Sequence, residues 1–163
     1  VIVMHSIDAP VDPDRDPEYD DVVEDVIAEL GERVLHAEKA GIPRENVIVD
    51  PGIGFGKSPR ENFEILGRLG EFDALGCPIL FGHSHKRMFE LTGEAAGDAR
   101  HGTVAATALA AANGADIVRV HDAAENVAAV RVAAAAADPE GFAAPERTPG
   151  AASGGRDDDG EDA

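Results

Sequence analysis

The sequence predicts an α/β fold of four strand–helix units, the arrangement of half of a (β/α)8 barrel. Four short apolar runs, each rich in β-branched residues, are typical of strands buried on both faces. They are "VIVMH" at 1–5, "VIVD" at 47–50, "PILFGHS" at 78–84 and "ADIVRVHD" at 115–122. A stretch of helical character follows each run, and this alternation predicts right-handed β/α units around a parallel sheet.

The size of the units favours half of a barrel over a complete smaller fold. Each unit takes roughly 35 residues, about one eighth of a (β/α)8 barrel of about 250 residues. The chain also begins at Val1, already within a predicted strand, so we expect a truncated barrel over residues 1–137. The alternative is a complete four-stranded sheet of the flavodoxin type. Residues 138–163 turn to Pro, Gly, Ala and Asp, which predicts a disordered acidic tail or linker.

Periodicity and end signals define the helices. They are predicted at 22–37, 59–70, 102–113 and 123–137. Gly41 ends the first of them. Capping-box patterns begin the second and the fourth: Ser58-x-x-Glu61, with proline at the first helical position, and Asp122-x-x-Glu125.

The composition excludes several classes of partner. The chain has 32 acidic and 14 basic residues, a formal charge of −18, which would repel nucleic acid and anionic membranes. An acid-rich, lysine-poor, alanine-rich chain is similar to proteins of salt-loving archaea; an acidic protein of an ordinary cytoplasm is the alternative.

Three observations predict a cytoplasmic protein. Cys77 is the only cysteine, no signal peptide precedes the first strand, and no apolar run approaches the length of about 20 residues that spans a membrane.

A glycine-rich stretch, "PGIGFGKS" at 51–58, is close to two phosphate-binding motifs. A P-loop requires glycine where Pro51 stands, and Gly56 comes one residue too early for the dinucleotide fingerprint. The stretch therefore matches neither motif. Its glycines would let the backbone approach a flat ligand, and Phe55 would either cover a ring or pack in the core.

Polar and titratable side chains follow every predicted strand, where parallel β/α folds place their working residues. They are His5, Asp50, Ser84, His85, Lys86, Arg119 and His121. Since the carboxyl ends of parallel strands meet at one edge of the sheet, we expect these side chains to form one polar cluster.

Arg119 and His121 are two residues apart on a strand, so their side chains should point to the same inner face. A buried arginine without an acid nearby in sequence needs an anion, and the helix that starts after Asp122 directs its amides to the same neighbourhood. A phosphate or pyrophosphate fits this arrangement. An internal salt bridge from Arg119 to an acid on another strand is the alternative.

Asp50 and Lys86 are the further candidates for ligand binding. Asp50 precedes a proline that keeps its backbone extended, and its carboxylate could accept two hydrogen bonds from a guanidine or pterin ring. Its alternative role is to cap the amides of the glycine loop. Lys86, just past the third strand, could reach a ring carbonyl or an anion; a solvated surface lysine is the alternative.

Three segments together resemble dihydropteroate synthase, a folate-pathway enzyme with a (β/α)8 barrel of the pterin-binding type. They are "VIVDPGIGFGKSPRENFEILGRL", "GCPILFGHSHK" and "ADIVRVHD", and "VIVMH" resembles the fifth strand of that family. The resemblance covers residues 1 to about 137 and implies the carboxyl-terminal half of the barrel. It also implies condensation of 6-hydroxymethyl-7,8-dihydropterin pyrophosphate with p-aminobenzoate, which gives 7,8-dihydropteroate and pyrophosphate.

The resemblance implies a role for each matching residue. Asp50 would bind the amine and a ring nitrogen of the pterin, Lys86 its carbonyl side, and Ser84 would lie beside the aminobenzoate. Arg119 and His121 would hold the pyrophosphate as the catalytic pair. The remaining residues implied to line the pterin pocket are Phe55, Gly54 and Met4.

The chain departs from the family in two ways. The family's Ser-Arg-Lys is Ser84-His85-Lys86 here, which puts aminobenzoate affinity in doubt. The family's first four strands are missing, and with them the Asn-rich motif associated with Mg²⁺ and the loops over aminobenzoate. We therefore expect this chain to be inactive alone, to contain no metal ligands of its own, and to form a homodimer when full length.

Two other functions fit parts of the sequence. His83, His85, His5, His121 and Asp50 could be the ligands of a metal-dependent barrel hydrolase, which stoichiometric zinc would indicate. The same pterin-binding barrel also serves as a methyl-carrier domain of corrinoid-dependent methyltransferases. Tight binding of methyltetrahydrofolate, but not of pterin pyrophosphate, would favour that alternative.

Overall fold

Four parallel strands form the centre of the fold. In the computed structural model, which describes residues 1–7 and 18–143, the strands are β1 (Ile2–Met4), β2 (Ile48–Asp50), β3 (Leu80–Phe81) and β4 (Ile117–Val118). β1 pairs with β2 and β3 pairs with β4, and a parallel bridge between Val49 and Ile79 joins the two pairs. The strands thus follow one another in chain order, as in a barrel. The flavodoxin-type alternative, whose order is 2-1-3-4-5, is wrong.

A helix follows each strand, as the periodicity predicts. The four helices are α1 (Val22–Lys39), α2 (Pro59–Gly67), α3 (Arg100–Ala112) and α4 (Ala123–Ala137). Short 3₁₀ helices occupy Arg44–Asn46, Leu69–Leu75 and Arg87–Thr92. The chain therefore contains four β/α units, which confirms the predicted half of a (β/α)8 barrel.

The two faces of the sheet have different environments. Val49, Ile79 and Phe81 share one face and are fully buried beneath the helices. Ile2 and Ile117 lie on the opposite face, and 57% and 37% of their surfaces are exposed. This second face corresponds to the inside of the barrel, and the side chains at its carboxyl edge form the candidate site.

The strands are shorter than the sequence predicts, particularly the third and the fourth. The predicted strands at 78–84 and 115–122 are reduced to Leu80–Phe81 and Ile117–Val118. One further ladder hydrogen bond continues the pairing, from Arg119 N to Phe81 O at 3.1 Å. Beyond this bond the backbone forms loops whose polar groups hydrogen-bond to side chains. Hydrophobic periodicity does not show where a strand gives way to such a loop.

The two predicted capping boxes have different outcomes. Ser58 Oγ accepts a hydrogen bond from the Glu61 amide, and the Glu61 carboxylate accepts one from the Ser58 amide, so the box at α2 is confirmed. The box at α4 is wrong, because the Asp122 side chain makes no cap bond. Its Oδ2 lies 2.9 Å from His85 Nε2 instead, and a single carboxylate turned toward that ring cannot also reach the first turn of its helix.

The predicted domain boundary after residue 137 coincides with the end of α4. Most of the tail predicted at 138–163 lies outside the described residues, so its disorder stays a prediction. Within the part of the chain that the structure describes, no helix is both long and apolar enough to cross a membrane.

The contrast between the two helix starts predicts a difference in stability. Glu61→Ala should lower the free energy of unfolding by about 0.5–1 kcal/mol, because it removes half of a formed capping box. Glu125→Ala, at the equivalent position of α4, should change it by less than about 0.5 kcal/mol. Urea denaturation of both variants tests this; equal losses would contradict it.

Candidate active site

The register of the sheet brings three of the expected residues to one edge. Met4 pairs with Asp50 across β1 and β2, so their side chains point to the same inner face. Arg119 extends along that face from the end of β4 and lies across Gly82. A Cβ added at Gly82 would stand 2.8 Å from Arg119 Nη2, so the absence of a side chain there makes room for the guanidinium.

Asp50 is a buried carboxylate within a group of cations. It is 3% exposed, and its Oδ1 accepts the Gly52 amide at 2.8 Å, the loop-capping role that the sequence left open. Its Oδ2 lies 4.0 Å from Arg119 Nη2. Burial raises the pKa of Asp50, while the Gly52 hydrogen bond and the charges of Lys86, Arg119 and Lys57 oppose that rise.

Arg119 is not the buried arginine that the sequence predicts. It does lie on the inner face, but 62% of its side chain is exposed, because the described residues place nothing over that face. The alternative was an internal salt bridge from Arg119 to an acid on another strand. Arg119 does face Asp50 of β2, but at 4.0 Å, the longest distance at which two groups count as an ion pair. An exposed guanidinium beside one distant carboxylate keeps donors available for an anion.

Lys86 bends over the glycine loop. Its ammonium donates to the Ile53 carbonyl and stands 4.8 Å from the centre of the Phe55 ring. Burial lowers the pKa of Lys86 to about 8, an effect that Asp50 opposes and Arg119 reinforces. The alternative of a solvated surface lysine is therefore wrong. Phe55 is half-buried beneath this ammonium. It is therefore neither a fully buried core residue nor a fully exposed ring, and its burial does not separate the two roles expected for it.

The glycine loop, residues 51–58, is held in shape by a side chain that sequence reasoning missed. Asn62 is 2% exposed; its Oδ1 accepts the Gly54 amide at 2.9 Å and its Nδ2 donates to the carbonyls of Lys57 and Ser58. Gly52 has φ +70°, and a Cβ there would lie 1.8 Å from the His5 carbonyl oxygen. Only glycine fits this approach between the loop and the end of β1.

Lys57 and His5 were also not assigned to the loop from the sequence. Lys57 Nζ lies 2.8 Å from His5 Nδ1 and donates to the carbonyls of Gly52 and Phe55. Burial lowers the pKa of Lys57 to about 7 and that of His5 to about 3. The only sequence signal for this role of Lys57 was its place at the end of a glycine run. Its contact with His5 joins residues 52 positions apart, which the local sequence does not reveal.

A second group forms at the ends of β3 and β4. Ser84 is buried, its Oγ accepts the His121 amide at 3.2 Å, and His121 Nδ1 lies 2.8 Å from the same oxygen. The His121 ring is 5.6 Å from the ring of His85, which has a φ of +56° and whose Nε2 lies 2.9 Å from Asp122 Oδ2. The His85 hydrogen bond lowers the pKa of Asp122. Ser84 and His121 thus meet, as the sequence predicts.

The histidines do not converge as the ligands of a hydrolase metal would. His83 is fully buried, and its Nε2 lies 3.1 Å from the Thr103 carbonyl and 2.9 Å from Thr107 Oγ1. His5 is engaged with Lys57, and His85 with Asp122. Among residues 1–7 and 18–143, no group of three or more His, Cys, Asp or Glu side chains is placed to hold a metal ion. The geometry therefore gives the hydrolase alternative no support.

Comparisons with known proteins agree with this geometry. The model of the family described as "Pterin binding enzyme" matches residues 1–121. A protein of Haloferax volcanii described as "Probable bifunctional folylpolyglutamate synthase/dihydropteroate synthase" is 72% identical over 144 residues, which are 88% of this chain and 17% of that protein. The dihydropteroate synthase of Escherichia coli is 41% identical over 102 residues, which are 62% of this chain and 36% of that enzyme.

A solved structure extends the similarity to three dimensions. Dihydropteroate synthase from Xanthomonas albilineans, in complex with 7,8-dihydropteroate, superposes with a TM-score of 0.75 at 42% identity. The alignment covers 84% of this chain and 51% of that chain. The chain thus spans about half of this solved structure and a smaller share of the curated relatives.

The close approach at Gly52 leads to a stability prediction. Gly52→Ala should lower the free energy of unfolding by more than about 2 kcal/mol, since the added methyl meets a backbone oxygen at positive φ. Gly67→Ala, where a Cβ would meet nothing within 4 Å, is the matched control and should be neutral or stabilising by up to about 1 kcal/mol. Urea denaturation measures both; a tolerated Gly52→Ala would contradict the geometry.

Proposed function

This chain belongs to the family of pterin-binding enzymes, and from that premise we propose that it is the carboxyl-terminal half of the catalytic barrel of a dihydropteroate synthase. The enzyme would condense 6-hydroxymethyl-7,8-dihydropterin pyrophosphate with p-aminobenzoate. One observation carries the proposal: the buried Asp50 carboxylate, the Lys86 ammonium and the Arg119 guanidinium meet above a glycine loop at one sheet edge.

The pterin ring would lie between the glycine loop and the inner face. Asp50 Oδ1 is committed to the Gly52 amide, so Oδ2 is the oxygen that would accept from the amine and ring nitrogen of the pterin. Lys86 would donate to the ring carbonyl, and Phe55, whose ring centre lies 4.8 Å from the ammonium, would form one wall of a slot for the pterin. Gly54 and Met4 would line this slot, because they lie beside Lys86 and Asp50 respectively.

The pyrophosphate would bind Arg119 and His121. Both side chains are exposed at the edge where the amino end of α4 also points, and no side chain caps that end. Amide groups at a helix start and a guanidinium are suited to a polyanion. Ser84 holds the His121 ring through Nδ1, so the ring keeps a fixed orientation toward the leaving group.

The reaction would proceed by substitution at the methylene carbon of the pterin. The bond between this carbon and the pyrophosphate oxygen breaks, and its electron pair leaves with pyrophosphate. The nitrogen lone pair of aminobenzoate forms the new C–N bond, and the nitrogen then loses a proton to solvent. Arg119 and His121 would stabilise the charge that develops on the leaving oxygen, which is the largest single contribution expected of fixed charges in such a site.

Several features of the whole enzyme extend this proposal. Mg²⁺, which the resemblance implies, would bind through the Asn-rich motif that the family carries in its first four strands. Aminobenzoate would lie beside Ser84, where His85 replaces the family's arginine and pairs with Asp122.

We also propose a homodimer, a cytoplasmic location and function at high salt. The charge of −18 and the Haloferax relative support function at high salt.

The methyl-carrier alternative has less support. A reduced folate without pyrophosphate would leave Arg119 and His121 without an anion to bind. The direct test is binding: methyltetrahydrofolate should bind at least tenfold more weakly than the pterin pyrophosphate, and the reverse order would favour the methyl carrier.

Synthase activity is the first prediction to test. In molar KCl with Mg²⁺, the full product of the gene should form 7,8-dihydropteroate from the two substrates, whereas residues 1–163 alone should form none. Product from residues 1–163 alone would refute the need for a second half-barrel. Absence of product from both would overturn the synthase proposal.

Arg119→Gln should lower kcat at saturating substrates by about 10²–10³-fold, because its charge acts on the leaving group as the bond breaks. The matched control is Arg87→Gln, which removes an arginine that is 76% exposed and that, within the described part of the chain, pairs only with Glu90 of its own 3₁₀ helix. Steady-state kinetics of both variants decide the matter; similar values of kcat would contradict the assigned role.

Binding of the pterin should weaken as the pH rises through about 8. Lys86 donates a charge-assisted hydrogen bond only as the ammonium, and burial lowers its pKa to about 8, so the charged form is lost above that pH. Calorimetric titrations between about pH 7.5 and 9.5, above the pKa of about 7 of Lys57, test this. Lys86→Met is the control and should bind weakly and without the transition near pH 8. The same pH dependence in Lys86→Met would assign it to another group.

A further inference from the structure

Lys57 occupies a site built entirely of hydrogen-bond acceptors. Its Nζ lies 3.1 Å from the Gly52 carbonyl, 3.3 Å from the Phe55 carbonyl and 2.8 Å from His5 Nδ1. An ammonium has three protons and no acceptor, so these three partners satisfy it completely. The two carbonyls belong to the glycine loop. The Lys57 side chain, near the end of the loop, therefore hydrogen-bonds to residues at its beginning and in its middle.

His5 supplies the fixed end of this arrangement. It is fully buried at the end of β1, and its amide donates to the Asp50 carbonyl at 2.9 Å. Because Nδ1 faces the Lys57 ammonium, it must accept, and the ring proton is therefore on Nε2. That nitrogen faces Glu29 Oε2 of α1 at 3.3 Å. The His5 ring thus lies between a carboxylate on one side and an ammonium on the other; within the described residues Nε2 itself forms no hydrogen bond.

Helix α1 fixes this end of β1 a second time. Arg33 donates to the carbonyls of Met4 and Ser6, on either side of His5, and also pairs with Glu29 at 3.2 Å. A continuous set of contacts therefore runs from α1 through His5 and Lys57 into the glycine loop. On the loop, Lys57 contacts only backbone carbonyls among the described residues, those of Gly52 and Phe55.

The same loop carries groups that are proposed to meet the pterin. Ile53 O accepts from the Lys86 ammonium, and the Phe55 ring lies under the same ammonium. Gly52, which Lys57 also holds, donates to Asp50. A shift of the loop would consequently move Phe55, Lys86 and the Asp50 hydrogen bond together.

We infer that Lys57 and His5 are positioning residues that clamp the glycine loop in the shape that binds the pterin. This inference rests on the function proposed above. Neither residue touches the substrate; both act through the loop backbone. The clamp should therefore control pterin affinity and leave the aminobenzoate side of the site nearly unchanged.

The experiment compares variants in the full product of the gene. Lys57→Met removes the ammonium at similar length, and Lys39→Met, at an exposed lysine near the end of α1, is the matched control. His5→Asn keeps an acceptor near the position of Nδ1, whereas His5→Leu removes it. Hydrogen exchange of the amides at 52–58 measures the loop itself, and calorimetry and kinetics measure pterin Kd and aminobenzoate KM at saturating pterin.

The clamp predicts one pattern across these measurements. In Lys57→Met and His5→Leu, loop exchange should accelerate and pterin Kd should rise, each at least tenfold, while aminobenzoate KM changes less than twofold. His5→Asn and Lys39→Met should stay within about twofold of wild type. If Lys57→Met does not fold, His5→Leu and His5→Asn still compare loss of the acceptor for Lys57 with its retention.

Other outcomes separate the inference from the proposed function. Unchanged loop exchange in Lys57→Met and His5→Leu would overturn the clamp, whatever the enzyme binds. Faster exchange with unchanged pterin Kd would overturn the link between the clamp and the substrate. Failure of the wild-type protein to bind the pterin at all, with faster loop exchange in the variants, would refute the proposed function and leave the clamp as a structural device.

Discussion

The buried charge of Asp50 is the constraint on which the site depends. A carboxylate that is 3% exposed is costly unless hydrogen bonds and cations compensate for the lost hydration. Here one backbone amide and three cationic side chains, Lys57, Lys86 and Arg119, provide that compensation. The dependence is mutual, since Asp50 in turn favours the charged forms of the two lysines against their own burial. Loss of Asp50 would therefore disturb every cation around it.

The distribution of positive charge follows from the same constraint. The chain has a formal charge of −18 and only three lysines, of which two lie around Asp50. Elsewhere, cations are mostly arginines paired with nearby carboxylates, as Arg68 is with Asp21, Glu64 and Glu71. A small cationic site within an acidic surface concentrates the local field, which favours an anionic ligand at this edge.

Local sequence signals predicted the elements well and the contacts between distant residues poorly. The four strands, the four helices and the capping box at Ser58 follow from periodicity and neighbouring residues, and the comparisons confirm the family. The roles of Asn62 and His5 could not be predicted, because each depends on a partner that only the packed loop brings near. The burial of Arg119 was predicted wrongly for a related reason: a strand pattern shows which face a side chain points to, but not what covers that face.

The failed capping box at α4 follows from competition for one carboxylate. Asp122 has two available partners, the amides of its own helix and the ring of His85, and it takes the ring at 2.9 Å, with Arg100 4.0 Å from its other oxygen. Omission of a side-chain cap typically costs about 1 kcal/mol. The same choice leaves the amino end of α4 without a capping side chain, beside Arg119 and His121. A helix start left uncapped next to a guanidinium retains donors for a polyanion, so this local exception to the sequence pattern supports the pyrophosphate site proposed at this edge.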